Sequence, residues 1–351
     1  MTKQIAGNYF EDFALGQEIR HATPRTVTAG DAALYMALYG SRFAMQSSDE
    51  AARHLGYARA PMDDMLAFHV VFGKTVPDIS LNAIANLGYA GGVFARPVYP
   101  GDTLSTVSTV IGLRENSNRK TGTVYVRSVG TNQDGKTVLD YVRWAMVRKR
   151  DPESPAPEPH VPDLPEAVAP ADLGLPPGVD FSAYDTQLSG QPHLFQDYEV
   201  GERIDHVDGF TIEEAEHQMA TRLYQNTARV HFNQHVEKEG RFGRRIVYGG
   251  HIISIARALS FNGLGNAIAV AAINGGRHIN PSFAGDTIYA WSEVLGKHEI
   301  PGRRDVGALR LRTVATKDRA CADFPLEGPD GKVDPAVVLD LDYTVLMPCR
   351  V

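Results

Sequence analysis

The chain repeats itself, and that limits its fold more than any other feature. The run Tyr9-Phe10-Glu11-Asp12-Phe13-Ala14-Leu15-Gly16 returns 185 residues later as Leu194-Phe195-Gln196-Asp197-Tyr198-Glu199-Val200-Gly201. At the same offset Thr26 matches Thr211, Tyr39 matches Tyr224 and Arg59 matches Arg244. Farther on, Gly91-Gly92, Pro97 and Gly101-Asp102-Thr103 return as Gly275-Gly276, Pro281 and Gly285-Asp286-Thr287, the offset having slipped to 184. So many matches at nearly one spacing mark a tandem duplication. At 351 residues one core is too few, and two domains are expected. These are residues 1–151 and 193–351, joined by a connector over 152–192. The connector holds ten of the chain's 21 prolines. Proline fixes φ and removes a backbone donor, so the segment reads as an extended, semi-rigid linker and nothing more.

Each copy has the same order of elements. A first helix is predicted over 28–40 and again over 211–224, the second opened by a capping-box pattern, Thr211-Ile212-Glu213-Glu214. An irregular polar segment follows (41–60 and 225–245). Then comes a helix apolar on most sides, 64–76 and 250–262, which should be buried in the middle of the fold. Strand-like runs close each copy: 83–90, 103–114, 121–132 and 137–148, then 267–274, 287–298, 306–317 and 337–346. Asp134-Gly135 and Asp330-Gly331 are hairpin signals between the last two of each set. The expected architecture is α+β, with an antiparallel sheet curled around one long buried helix, twice over.

Composition excludes several roles. A net charge of −7 argues against non-specific binding to nucleic acid, which needs a basic face. The two cysteines, Cys321 and Cys349, have no metal or redox spacing and suit a reducing compartment. No uninterrupted apolar stretch of about 18 residues is present, and the N-terminus has no apolar leader segment. The expectation is a cytoplasmic protein that engages no membrane. No cluster of His, Cys and carboxylate has ligand spacing, and no glycine-rich phosphate loop occurs, so neither a metal nor a cofactor is expected.

Chemistry concentrates in residues 223–251, LYQNTARVHFNQHVEKEGRFGRRIVYGGH. Asn226 and His231 stand five residues apart, arginines follow, and Gly249-Gly250 opens the second buried helix. These residues resemble the MaoC-like, or hydratase 2, family, whose pattern is G-D-x-N-P-x-H followed by F-G-x-P-I-V-H-G. Gln225 to His231 takes the place of the first part, and Phe242 to Gly249 that of the second. The resemblance covers both copies and implies a double hotdog fold. Its QNTARVHFNQH and RFGRRIVYGGH runs are most similar to the mesaconyl-CoA-hydrating branch of the family. Two departures stand out. Asn226 occupies the position of the family's catalytic Asp, whereas the His is kept as His231. In the first copy the same positions are Ser41 and Gln46, so that site should be chemically silent and serve to shape the pocket.

The resemblance implies a hydro-lyase acting on an acyl-CoA thioester, most specifically the reversible hydration of mesaconyl-CoA (2-methylfumaryl-CoA) to β-methylmalyl-CoA. Such a reaction needs polarisation of the thioester carbonyl, removal of a proton from water and delivery of a proton to the α-carbon. Backbone N–H groups at the helix start, at Gly249 with Gly250 beside it, suit the first task. His231 is the natural base, because an unperturbed imidazole titrates near neutrality. Asn226 cannot take a proton but can orient the water. Asp63 and Asp64, at the start of the first buried helix, could supply a substitute acid, but capping of that helix is the expected role; His235 and His251 are expected to be structural. Arg241, Arg244 and Arg245 are candidates for the CoA phosphates, with Arg42, Arg59 and Lys74 from the first copy. Arg229 is nominated for a substrate carboxylate, with Arg96 and Arg277 as weaker choices. A homodimer is expected. Alternatives are a broader (R)-specific enoyl-CoA hydratase, an acyl-CoA thioesterase, and a non-catalytic acyl-CoA sensor.

Overall fold

The computed structural model describes residues 3–328 and 330–350. Each copy begins with a helix, α1 (Ala29–Tyr39) and α3 (Glu214–Leu223), and continues with its buried helix, α2 (Asp64–Thr75) and α4 (Gly249–Leu259). Four long strands follow in each: β1 (Ala83–Phe94), β2 (Thr103–Glu115), β3 (Thr121–Thr131) and β4 (Thr137–Arg148), then β5 (Ala269–His278), β6 (Thr287–Glu299), β7 (Val306–Lys317) and β8 (Val337–Pro348). Among the described residues these strands and four short ones form a single sheet. The long strands run in the order β2-β3-β4-β1-β5-β8-β7-β6. The sheet of each copy wraps its own helix, and the two sheets join edge to edge where β1 pairs antiparallel with β5.

That join explains why β1 and β5 run past the paired glycines, where the sequence suggests an end. Tyr89 pairs with Gly276 and Gly92 with Ile273. Across the join, a Cβ on Gly276 would lie 3.3 Å from the Tyr89 ring, and one on Gly92 3.1 Å from the Ile273 side chain. Glycine eases the close approach of the two edges there.

Residues related by the repeat meet one another at the join, as a pseudo-twofold axis requires. The hydroxyls of Tyr39 and Tyr224 are 2.6 Å apart, and His69 Nε2 lies 2.9 Å from Ser254 Oγ; both pairs are 185 residues apart. Tyr39 also reaches His251 Nδ1 at 2.8 Å, and Tyr35 donates to Ser254 at 2.8 Å. A buried polar seam therefore runs between α2 and α4, inside an otherwise apolar core. Directional hydrogen bonds of this kind help fix how the two halves sit together.

Two expectations are corrected. Thr211 does not cap α3. It lies in the two-residue strand Phe210–Thr211 and its hydroxyl meets Thr287 at 2.9 Å, as Thr26 meets Thr103 at 2.8 Å; α3 starts at Glu214 without a side-chain cap. In the first copy Thr28 and Asp31 do form a capping box. The proline-rich connector is also more than a linker. His160 bridges to Leu113 of β2, while Leu173, Val179 and Phe181 are buried against Met45, Leu55, Ile268 and Val306, which belong to both copies. Its prolines hold it extended, and its few apolar residues seal an apolar depression.

Candidate active site

Two clefts lined by both copies correspond through the repeat. One is open. Its floor comes from the first copy (Phe72, Val76, Ser80, Asn86, Tyr89 and Arg143), and its wall from the second (Asn226, His231, Tyr248, Gly249, His278 and Ser282). Among the described residues no Asp or Glu lines it. Its acid–base groups are therefore imidazoles and phenols, and burial drives the phenols of Tyr89 and Tyr248 well above their ordinary range.

His231 sits in the short helix Arg229–Phe232, and its carbonyl accepts a hydrogen bond from Gln218 at 2.7 Å. Its Nδ1 is 3.0 Å from the carbonyl oxygen of Ile246. A carbonyl only accepts, so Nδ1 carries the proton and Nε2 keeps its lone pair. Desolvation lowers the pKa of His231 to about 4, which keeps the ring neutral at pH 7 with its Nε2 lone pair unprotonated. Asn226 is buried, and its Oδ1 accepts from the backbone N–H of Ala228 at 3.0 Å, holding the turn that leads to His231. The amide nitrogen is the part of Asn226 left for the cleft, so its remaining capacity is as a donor.

The start of α4 completes the wall. Its N-cap, Tyr248, offers no side-chain cap, and the Tyr248 N–H is taken by His217 Nε2 at 3.0 Å. Among the described residues the Gly249 and Gly250 amides have no hydrogen-bond partner, so the positive end of the helix faces the cleft through Gly249. A Cβ on Gly249 would lie 2.5 Å from His278 Cε1. Gly250 lies one residue deeper and is buried; its Cβ would meet Tyr248 at 2.3 Å and His69 at 2.5 Å.

His278, at the end of β5, escaped sequence reasoning. Its Nε2 is 3.2 Å from the Tyr89 hydroxyl, and its pKa is lowered to about 4 by burial and by the nearby His231. A signal existed, because the repeat pairs it with Phe94, which cannot ionise. Arg143 was missed as well, since nothing in a β-strand pattern marks one inward-facing arginine.

The second cleft is the degenerate counterpart. Gln46 occupies the place of His231 and donates to the Ile268 carbonyl at 3.1 Å; Asp64 stands where Gly249 does. Asp63 caps α2 through Met65 N at 2.9 Å, and Asp64 accepts from Val270 N at 2.8 Å. Both lie away from His231. Gly174 and Pro176 of the connector form part of its lining.

The nominated arginines divide by position. Arg96 lines the degenerate cleft and donates to the Thr137 carbonyl at 2.7 Å, so it is not beside His231. Arg229 is exposed and does not line the open cleft. Arg245 is held by Glu214 and the Phe232 carbonyl, its reach spent on the fold. Arg277 pairs with Asp340 at 3.2 Å on the outer sheet face. Arg241 and Arg244 are exposed, with guanidinium groups 5.0 Å from the Phe242 ring and 4.0 Å from the Phe283 ring. Among the described residues no group of three His, Cys, Asp or Glu side chains is placed to hold a metal, and no helix is long and apolar enough to cross a membrane.

Two helix-wrapping antiparallel sheets fused in one chain, with a single histidine cleft at their join, define a double hotdog protein of the MaoC-like dehydratase class. A crystal structure of a MaoC domain protein from Chloroflexus aurantiacus superimposes with a TM-score of 0.98 at 69% identity over 100% of both chains. A Mycobacterium tuberculosis protein described as a double hotdog fold gives a TM-score of 0.80 at 26% identity, covering 98% of this chain and 99% of that one. The chain belongs to the mesaconyl-CoA hydratase family, whose model matches residues 2–323. It is 70% identical to the beta-methylmalyl-CoA dehydratase of Chloroflexus aurantiacus over 349 residues, 99% of either chain. It is 59% identical to the mesaconyl-CoA hydratase of Cereibacter sphaeroides over 348 residues, again 99% of each.

Proposed function

We propose that this protein is a hydro-lyase that reversibly adds water across the double bond of mesaconyl-CoA to give β-methylmalyl-CoA. The observation that carries the reading is a carboxylate-free cleft in which a neutral imidazole with a free Nε2 shares one wall with an unbonded helix-start amide. The thioester oxygen lies at the Gly249 amide, with Gly250 reinforcing the dipole. Water is held between Asn226 Nδ2 and His231 Nε2. His231 takes a proton as the water oxygen bonds to the β-carbon, and the displaced electron pair moves onto the thioester oxygen. The imidazolium then returns that proton to the α-carbon. Both added groups come from one water molecule, and the reverse sequence is dehydration. No carboxylic acid is required, which accommodates Asn226 in place of the family's Asp.

CoA phosphates fall to Arg241 and Arg244 at the rim, with Arg229 outside the cleft as a further cation. Pairing of two chains into a homodimer, a cytoplasmic setting and the absence of any cofactor beyond the substrate's own CoA belong to the same proposal. Incubating wild type and His231→Ala with mesaconyl-CoA tests it, following enoyl-thioester absorbance and free thiol together. The expected result is hydration by wild type without CoA release, reduced by about 10²- to 10⁴-fold in the variant. Release of free CoA would make the protein a thioesterase, and hydration surviving in His231→Ala would remove the base from the mechanism.

A further inference from the structure

Arg143 lies on β4 with its side chain wholly inside the fold and its guanidinium lining the open cleft. Nη2 donates to Thr75 Oγ1 at 2.7 Å, Nη1 reaches Asn86 Oδ1 at 3.4 Å, and the plane rests 4.3 Å from the Phe72 ring. Among the described residues no carboxylate lies within ion-pair distance, Arg143 Nε has no partner, and neither does Asn86 Nδ2 beside it. A buried guanidinium without a counter-ion is costly, and natural folds supply the missing charge from the chain or from a ligand.

The chain supplies such charge to its other buried arginine. Arg257, on α4 at the repeat position of Phe72, stacks 3.5 Å from the Phe43 ring, and the charges of Asp63 and Asp64 partly offset its burial. Asp64 also lines the degenerate cleft, beside Gly174 and Pro176 of the connector. The open cleft has a buried arginine and no carboxylate in its lining.

We propose that Arg143, with the Asn86 amide, receives the free carboxylate at the far end of the acyl group, and so makes the cleft selective for dicarboxylic over monocarboxylic enoyl thioesters. This rests on the hydratase reading above. A fork of N–H donors matches a carboxylate in two directions, and a methyl group at the same place would leave the buried donors unpaired. It also assigns the floor, built by the catalytically silent copy, to substrate choice and leaves the chemistry to the wall.

The test compares kcat/KM for mesaconyl-CoA with that for the analogue carrying methyl in place of the distal carboxylate, 2-methylbut-2-enoyl-CoA. Wild type should prefer the dicarboxylic substrate by roughly 10³-fold or more. Arg143→Gln should cut that preference by about 100-fold, and Arg143→Lys, which keeps the charge but loses the fork, by less. Asn86→Ala, a smaller change that decides the matter if the arginine variants do not fold, should cut it by about tenfold. Equal use of both substrates by wild type overturns the proposal, as does a preference unchanged in Asn86→Ala or Arg143→Gln. Wild type that hydrates neither substrate refutes the hydratase reading itself.

Discussion

Gly73, in the last turn of α2, is the position where one methyl group would reveal how the first copy holds the Asn226 loop of the second. A Cβ there would lie 1.9 Å from the carbonyl oxygen of Tyr224 and 3.5 Å from the backbone nitrogen of Asn226. An ordinary carbon–oxygen contact needs more than 3 Å, so helix and loop must separate by about 1 Å. Backbone cannot rotate away as a side-chain tip can. Tyr224 is fully buried and tied to Tyr39 at 2.6 Å, so its segment resists displacement. Overpacking of this kind costs about 1–3 kcal/mol, and the better helix propensity of alanine returns up to about 1 kcal/mol. A net loss of about 1–2 kcal/mol leaves most molecules folded. The catalytic loss should be larger, because Asn226 and His231 hang from the displaced segment, and about 1 Å of misplacement at reacting groups can cost 10²-fold. Steady-state hydration kinetics and thermal melts of Gly73→Ala provide the measurement. The expected result is kcat lowered about 100-fold with a melting temperature lowered by only a few degrees. Wild-type kcat in a stably folded Gly73→Ala protein would show that α2 does not set the position of the Asn226 loop.

Three further outcomes follow from the geometry. Because burial lowers His231 to about 4, the acid limb of kcat/KM should fall near pH 4 and not near 6.5; a limb at 6.5 would mean the working base is solvated. Buried His69, His217 and His251 are lowered to about 3 and His206 to about 4, so the unfolded chain binds more protons than the native one below pH 6.5. Stability from these groups is complete above that pH and is lost as pH falls, at up to about 1.4 kcal/mol per group per pH unit. Asp64, raised to about 7, and its neighbour Asp63, also raised by burial, oppose this with the reverse sign but are two groups against four, so the urea midpoint should drop between pH 7 and 5; a flat or rising midpoint contradicts it. Phe181→Ala in the connector should cost about 3–5 kcal/mol in denaturant titrations while leaving the mesaconyl-CoA rate of the folded protein within about twofold, and a stability near wild type would return the segment to a plain linker.

The duplication, the order of elements and the ranges of the long strands, apart from the ends of β1 and β5 at the join, were legible in the sequence because each depends on local period and on repetition, which survive without knowledge of neighbours. The Asn226–His231 pair and the glycines opening α4 were legible for the same reason, since they lie within one short stretch that a family pattern covers. Other features exist only once distant segments meet. Thr211 follows a capping pattern, yet strand pairing with Thr287 claims it. The connector's prolines describe its stiffness, while its burial depends on an apolar depression built from both copies. Of the arginines clustered near the catalytic stretch, Arg245 is occupied by Glu214 and Arg229 faces solvent, whereas Arg143, 83 residues before Asn226, reaches the cleft from the other copy. Sequence proximity could nominate the chemistry, but charge complementarity is settled by burial and by which partners lie within a few ångströms. Those are properties of the tertiary fold alone.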